Sequence, residues 1–313
     1  MRRALSAVTF SVLLLGLVVP VARAGAQATC EHHQRTGRVE IHLRDGYARI
    51  KRNDARIQFS AIGTGGYQSC DGATIHDTDR IVFSTTNRET DVSFRVDQSN
   101  GRFAPGRTKE DSGASEIEIV ANYAPNGDAL FDLAGTPRSD TIHMGSRGIK
   151  VNKDADLDIK VDDDVGFYQV ESGSGNDFVS MNGGSGTGRP VPAADYNGNN
   201  LEGGPGADVL IGGPGTNFMD GEDGVDRLVG KLGRDALAGG LDNDGVFGGK
   251  GSDYVLSGGD GDDNVEGGEG DDQLYGETGN DHLDGDAGED VCDGGPGMNT
   301  HEECETYEES PLL

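Results

Sequence analysis

Gly258-Gly259-Asp260-Gly261-Asp262-Asp263-Asn264-Val265-Glu266 is followed without a break by Gly267-Gly268-Glu269-Gly270-Asp271-Asp272-Gln273-Leu274-Tyr275 and then by Gly276-Glu277-Thr278-Gly279-Asn280-Asp281-His282-Leu283-Asp284. The period is nine: Gly recurs at positions one, two and four, Asp at six, and an aliphatic residue at eight. Reading forward, units start at Gly285 and Gly294; reading backward, Ser257 reads as one inserted residue, and units start at Gly248, Gly239, Gly230, Gly221, Gly212 and Gly203. An isolated earlier copy spans Ser172 to Ser180. Position six is filled by Asp177, Asp208, Asn217, Asp226, Asp235, Asp244, Asp253, Asp263, Asp272, Asp281, Asp290 and finally Asn299. Position eight is filled by Val179, Leu210, Met219, Leu228, Leu237, Val246, Val255, Val265, Leu274 and Leu283. A disordered acidic tail holds no identity at a fixed period, so the pattern predicts a repetitive, stacked fold.

Each fixed position has a physical reason. Gly at one, two and four lets the backbone take positive φ and turn its carbonyls inward. Asp at six supplies a hard anionic oxygen, suited to calcium and not to a soft metal. The aliphatic residue at eight sits on a short strand facing a core that a single unit cannot close, so stability has to come from stacking. Over Ser172 to Ser180 and Gly203 to Thr300 the chain resembles the RTX, or haemolysin-type, calcium-binding repeats. The resemblance implies a parallel β-roll with two nonapeptides per coil, and calcium held between stacked turns by position-six side chains and turn carbonyls. The expected ligands are Asp177, Asp208, Asn217, Asp226, Asp235, Asp244, Asp253, Asp263, Asp272, Asp281 and Asp290. Coils of two units pair Asp208 with Asp226, Asp226 with Asp244 and Asp235 with Asp253; beyond Ser257 they pair Asp253 with Asp272, Asp263 with Asp281 and Asp272 with Asp290. Asp242 at position four, neutral Asn217 and Lys231 inside a turn depart from the pattern. Stacked carboxylates repel without metal, so binding energy becomes folding energy.

The charge is as uneven as the repeat. The chain carries 55 acidic and 26 basic residues, a net charge of -29, and from Leu201 onward 29 acidic face 4 basic residues, a net of -25. Such a surface repels nucleic acid and anionic lipid and attracts cations. At the other end Arg2 and Arg3 precede an apolar stretch from about Ala4 to Val21, broken by Ser6, Thr9, Ser11 and Pro20 and followed by Ala22-Arg23-Ala24 and Ala24-Gly25-Ala26. This predicts a cleaved secretory signal over 1–26, no membrane anchor, and a secreted, extracellular product. Four cysteines suit an oxidising compartment. Cys292 stands at position eight of its unit, and a bridge to Cys304 would fold Met298 to Glu303 over the open end of the stack. Cys30 with Cys70 then follows by elimination, with a free pair or crossed pairing as the alternatives. Zinc held by cysteine with His32, His33 or His301 is disfavoured because no C-x₂-C spacing occurs.

Between Cys30 and Val170 the chain alternates as short strands: Val39-Glu40-Ile41-His42-Leu43, Arg56-Ile57-Gln58-Phe59, Asp91 to Val96, Glu116-Ile117-Glu118-Ile119 and Leu157 to Val161. Gly135-Thr136-Pro137-Arg138-Ser139-Asp140-Thr141-Ile142 already echoes the repeat. The expected architecture is therefore all-β: an irregular solenoid-like region over 27–170, a regular roll over 171–300 with a loop at 183–200 leaving the stack, and a cap and tail over 301–313. Gly101-Arg102-Phe103-Ala104-Pro105-Gly106, taken with Ser115-Glu116-Ile117-Glu118, is similar to a group of secreted actinobacterial calcium-binding proteins, a likeness that brings no assigned activity. No His-Glu-x-x-His occurs, and Gly183-Gly184-Ser185-Gly186-Thr187 misses the last glycine of a nucleophile elbow. Asp162-Asp163-Asp164 reads as a charged turn before it reads as acid–base machinery, and His76 and His143 read as solvated side chains. Trp is absent and aromatics are 6%, which leaves little for a sugar-stacking platform. The function expected is calcium binding without catalysis. The alternatives are a polysaccharide-modifying enzyme carrying the repeats, or a surface adhesin or matrix protein with a cell-surface or polysaccharide partner.

Overall fold

The computed structural model describes residues 28–308 apart from 44–45, 62–65, 86–91, 102–116, 124–128, 152–157, 162–164, 186 and 192–193. The expected signal over 1–26, the cluster Asp162 to Asp164, most of the segment from Gly101 to Gly106 and the end of the tail lie outside the described residues. Among those described, every regular element is a β-strand, and no helix is long and apolar enough to cross a membrane.

Among the described residues, two sheets of 14 and 13 strands run from Ala28 to Glu308. From residue 194 onward successive strands alternate strictly between them, so two strands and two turns make each coil. The inward residue of each strand stacks on its counterpart one coil away. Leu210, Leu228, Val246, Val265 and Leu283 form one parallel register. Met219, Leu237, Leu256, Leu274 and Cys292 form the other. All are buried, and all but one are the position-eight residues of the repeat. The exception corrects the sequence reading. Leu256, not Val255, faces the core, because the strand Val255–Asp260 pairs Ala236 with Val255 and Leu237 with Leu256. The extra residue is absorbed just after Asp253, around the exposed Tyr254, and Ser257 holds an ordinary position nine opposite Ala238. A bulge there costs little, because Tyr254 turns out to solvent while Asp253 and Leu256 keep their stacking partners.

The irregular half belongs to the same two sheets. Val39, Ile81, Ile119 and Ile159 continue one inner face, and Ala48, Phe94, Phe131 and Tyr168 the other. Its irregularity is local: antiparallel excursions such as Gly46–Asn53 with Arg56–Ala61, and Thr141–Gly145 with Gly148–Val151. Its core is also wider. Phe83 stacks on Phe94 at 4.1 Å between ring centroids, with Phe131 at 6.3 Å from Phe94 and Tyr168 at 6.2 Å from Phe131. The core ladder of the regular half, by contrast, contributes two side chains per coil.

The loop expected at 183–200 is shorter than the sequence suggested. Ala194–Glu202 is a strand hydrogen-bonded to neighbours on both sides. Its Asn199-Asn200-Leu201 run is too polar to read as a strand, yet Asn199 and Leu201 are both fully buried. The segment before it folds back rather than leaving the stack: the Gly183 amide donates to the Met144 carbonyl at 3.0 Å, and Val191 is buried. Both ends of the roll carry a disulfide. Cys30 and Cys70, 5.4 Å apart at Cα, join the N-terminal edge strand of one sheet to that of the other. Cys292 and Cys304 join the last full coil to the final turn, where His301 stacks on Tyr307 at 3.6 Å. The pairing within each end matches the sequence expectation. With all four sulfurs in disulfides, cysteine has no thiolate to offer zinc.

Candidate metal centre

The turns that link the sheets place the position-six side chains in two ladders, one along each edge of the roll. In the first, each backbone amide donates to the carboxylate one coil further on. Asp140 donates to Asp177 at 2.6 Å, Asp177 to Asp208 at 2.6 Å, and Asp208 to Asp226 at 2.7 Å. Asp226 donates to Asp244 at 2.8 Å, Asp244 to Asp263 at 2.7 Å, Asp263 to Asp281 at 3.0 Å, and Asp281 to Asn299 at 2.8 Å. The second ladder runs from Asn217 to Asp235 at 2.7 Å, Asp253 at 2.8 Å, Asp272 at 2.7 Å, Asp290 at 2.8 Å and finally Glu305 at 2.7 Å. Every pair expected from the sequence is present.

These bonds occupy Oδ1. The other oxygen, Oδ2, is buried without a hydrogen-bond partner in Asp177, Asp208, Asp226, Asp235, Asp244, Asp253, Asp263, Asp272, Asp281 and Asp290. Ten orphan anionic oxygens are not tolerable in a fold that has nothing to pair with them. Burial is the main cause of their electrostatic cost. It pushes Asp177, Asp244 and Asp253 up to about 7 and Asp208, Asp226, Asp235, Asp263 and Asp290 up to about 6, against the pull of the amide hydrogen bonds. Asp272 and Asp281 are raised for the same reason. Repulsion between stacked aspartates adds to this but comes second, so desolvation outweighs the mutual repulsion emphasised by the sequence reading.

What surrounds Oδ2 fits a calcium ion. Position-one glycine leaves room beside it: a Cβ on Gly203 would lie 2.6 Å from Asp208 Oδ2 and 2.8 Å from the Gly221 carbonyl of the next coil. At Gly267 the same two neighbours are Asp272 Oδ2 at 2.7 Å and the Gly285 carbonyl at 2.8 Å. A carboxylate oxygen and a backbone carbonyl facing one another across a gap that only glycine leaves open is a hard-oxygen donor set, the kind calcium takes. A second acidic group joins half-buried Asp284 to exposed Asp286 and Glu303.

The sequence did not place Asp140, Asn199 or Glu305 in the ladders, and it placed Asn299 at position six without counting it as a ligand. Asp140 sits at position six of the degenerate echo, and Asn299 at position six of the last unit. Asn199 lies eighteen residues before Asn217 and approaches it at 3.5 Å. Glu305 has no repeat spacing and no sequence signal. On the outer face of the 13-stranded sheet, Arg95 forms ion pairs with Asp132 at 2.9 Å and with Glu171. His143 packs its ring on Phe178 at 5.2 Å, and burial lowers its pKa.

This architecture defines a class: a parallel β-roll whose turns carry two carboxylate ladders. Comparison by family then specifies it. Residues 194–228, 220–255, 257–292 and 266–300 match the RTX calcium-binding nonapeptide repeat in four copies, so this part of the chain carries calcium-binding repeats. No curated protein and no solved structure matches the chain.

Proposed function

We propose that the protein is an exported calcium-binding protein whose C-terminal roll folds when calcium fills its turns, and that it carries out no catalysis of its own. The ten orphan Oδ2 atoms carry this reading. Their burial opposes folding of the metal-free chain, and a divalent cation removes that cost while cross-linking adjacent coils. Calcium modules outside the cell bind at about 10⁻⁴ to 10⁻³ M, so the roll stays open at cytosolic calcium and closes outside. Export is supported by the apolar N-terminal stretch after Arg2 and Arg3 and by two disulfides. The ligands of the reading are Asp177, Asp208, Asp226, Asp235, Asp244, Asp253, Asp263, Asp272, Asp281 and Asp290, with turn carbonyls completing each site.

The test is a chelated sample titrated with calcium, followed by circular dichroism and calorimetry. A cooperative gain of β structure with several ions bound per chain supports the reading. An unchanged fold, or no heat of binding, overturns it.

A further inference from the structure

Some turns of the roll contain no orphan oxygen, and their chemistry differs from the rest. Asn217 is fully buried. Its Nδ2 donates to the Gly215 carbonyl at 2.8 Å, the Gly213 carbonyl at 3.1 Å, the Gly230 carbonyl at 3.3 Å and Asp235 Oδ1 at 2.9 Å. Every one of these partners is an oxygen that can only accept, which fixes which end of the amide points inward. Gly230 is the position-one residue of the next coil, and its counterparts Gly221 and Gly285 are the carbonyls that face Oδ2 in the aspartate turns. The amide nitrogen therefore points its protons at the oxygens a cation would need. At the far end Asn299 closes its own turn: Nδ2 donates to the Gly294 carbonyl at 2.7 Å and the Gly295 carbonyl at 3.0 Å.

The placement is regular. One ladder of orphan oxygens ends at Asn299, and the other begins after Asn217. Where the first ladder begins, Asp140 Oδ2 is already satisfied by the Thr136 amide at 2.7 Å and hydroxyl at 2.8 Å. Donors thus stand at three of the four ladder ends, the exception being the Glu305 carboxylate, and acceptors without donors fill the interior.

Building on the calcium reading above, we propose that Asn217 and Asn299 replace the ion with their own amides. The turns Gly212 to Asn217 and Gly294 to Asn299 are closed without metal, one at the start of the second ladder and the other at the end of the first. An amide nitrogen has no lone pair for a cation, and its N–H groups repel one. Asn217, which the sequence pattern places among the ligands, becomes a boundary residue instead.

Native mass spectrometry at saturating calcium decides this. Asn217→Asp is expected to bind one more ion than the parent, and Asn299→Asp, at the partly exposed cap, likewise one more. Asp263→Asn should bind one fewer. The Asn299→Asp result stands on its own if Asn217→Asp does not fold. If the parent binds calcium and neither Asn→Asp variant gains an ion, the inference is overturned while the calcium reading survives. If the parent binds no calcium, the calcium reading fails and this inference with it.

Discussion

A buried aspartate with one oxygen hydrogen-bonded and the other facing a gap is a request for a cation, and its consequences show first in single substitutions. Asp263→Asn keeps the acceptor for the Asp244 amide, so it removes a ligand without breaking the ladder. Its cost should appear only with calcium present. For a site filled a hundredfold above its Kd, about 2.7 kcal/mol of calcium-linked stability is lost, and thermal melts with and without chelator will read the difference. The raised carboxylates also set a pH dependence. In the metal-free roll their pKa values of about 6 to 7 lie above the ordinary aspartate value of 3.8. Their contribution to folding is therefore fully present below pH 3.8 and lost as the pH rises through 6 to 7. The chelated protein should hold more β structure at pH 5 than at pH 8, and calcium should bind more weakly at pH 5 because it must displace protons. Circular dichroism and calcium isotherms at the two pH values check both signs. Lys231, at a φ of 88°, occupies a conformation that suits glycine; Lys231→Gly should stabilise the roll by about 1 kcal/mol in denaturant titrations with calcium.

At the scale of the strand, the stack depends on one inward residue per repeat. Leu274 lies fully buried between Leu256 and Cys292. Leu274→Ala should cost about 2–5 kcal/mol through the cavity it leaves, measured by chemical denaturation at saturating calcium. These strands are legible in the sequence because the glycine turns punctuate them and the aliphatic residue marks their register. The misreadings have physical reasons of the same kind. Val255 and Leu256 are both aliphatic, so only backbone pairing reveals which one faces inward after the bulge. Ala194–Glu202 hides because its buried inward position is Asn199, a polar residue satisfied by a ladder that no composition rule describes. Glu305 completes the second ladder from a turn whose length differs from the repeat, so no periodicity could locate it.

Across the whole molecule, one continuous pair of sheets is stabilised in two different ways. The N-terminal half packs Phe83, Phe94, Phe131 and Tyr168 against aliphatic strands, whereas the C-terminal half relies on a thin core and an acidic array. Chelation should therefore unfold the coils that carry the orphan aspartates, from about Asp177 onward, and leave the aromatic-cored strands before them ordered, read by hydrogen exchange as lost protection confined to those coils. The directed hydrogen bonds of the ladders add a requirement of timing. Each amide donates toward the C-terminus, so a coil is complete only when the coil beyond it exists, and the last acceptors are Asn299 and Glu305. A ribosome delivers those two residues after every other member of the ladders. The nascent array stays short of its final partners until its last coil has been made, which protects it from closing early on whatever cation it meets.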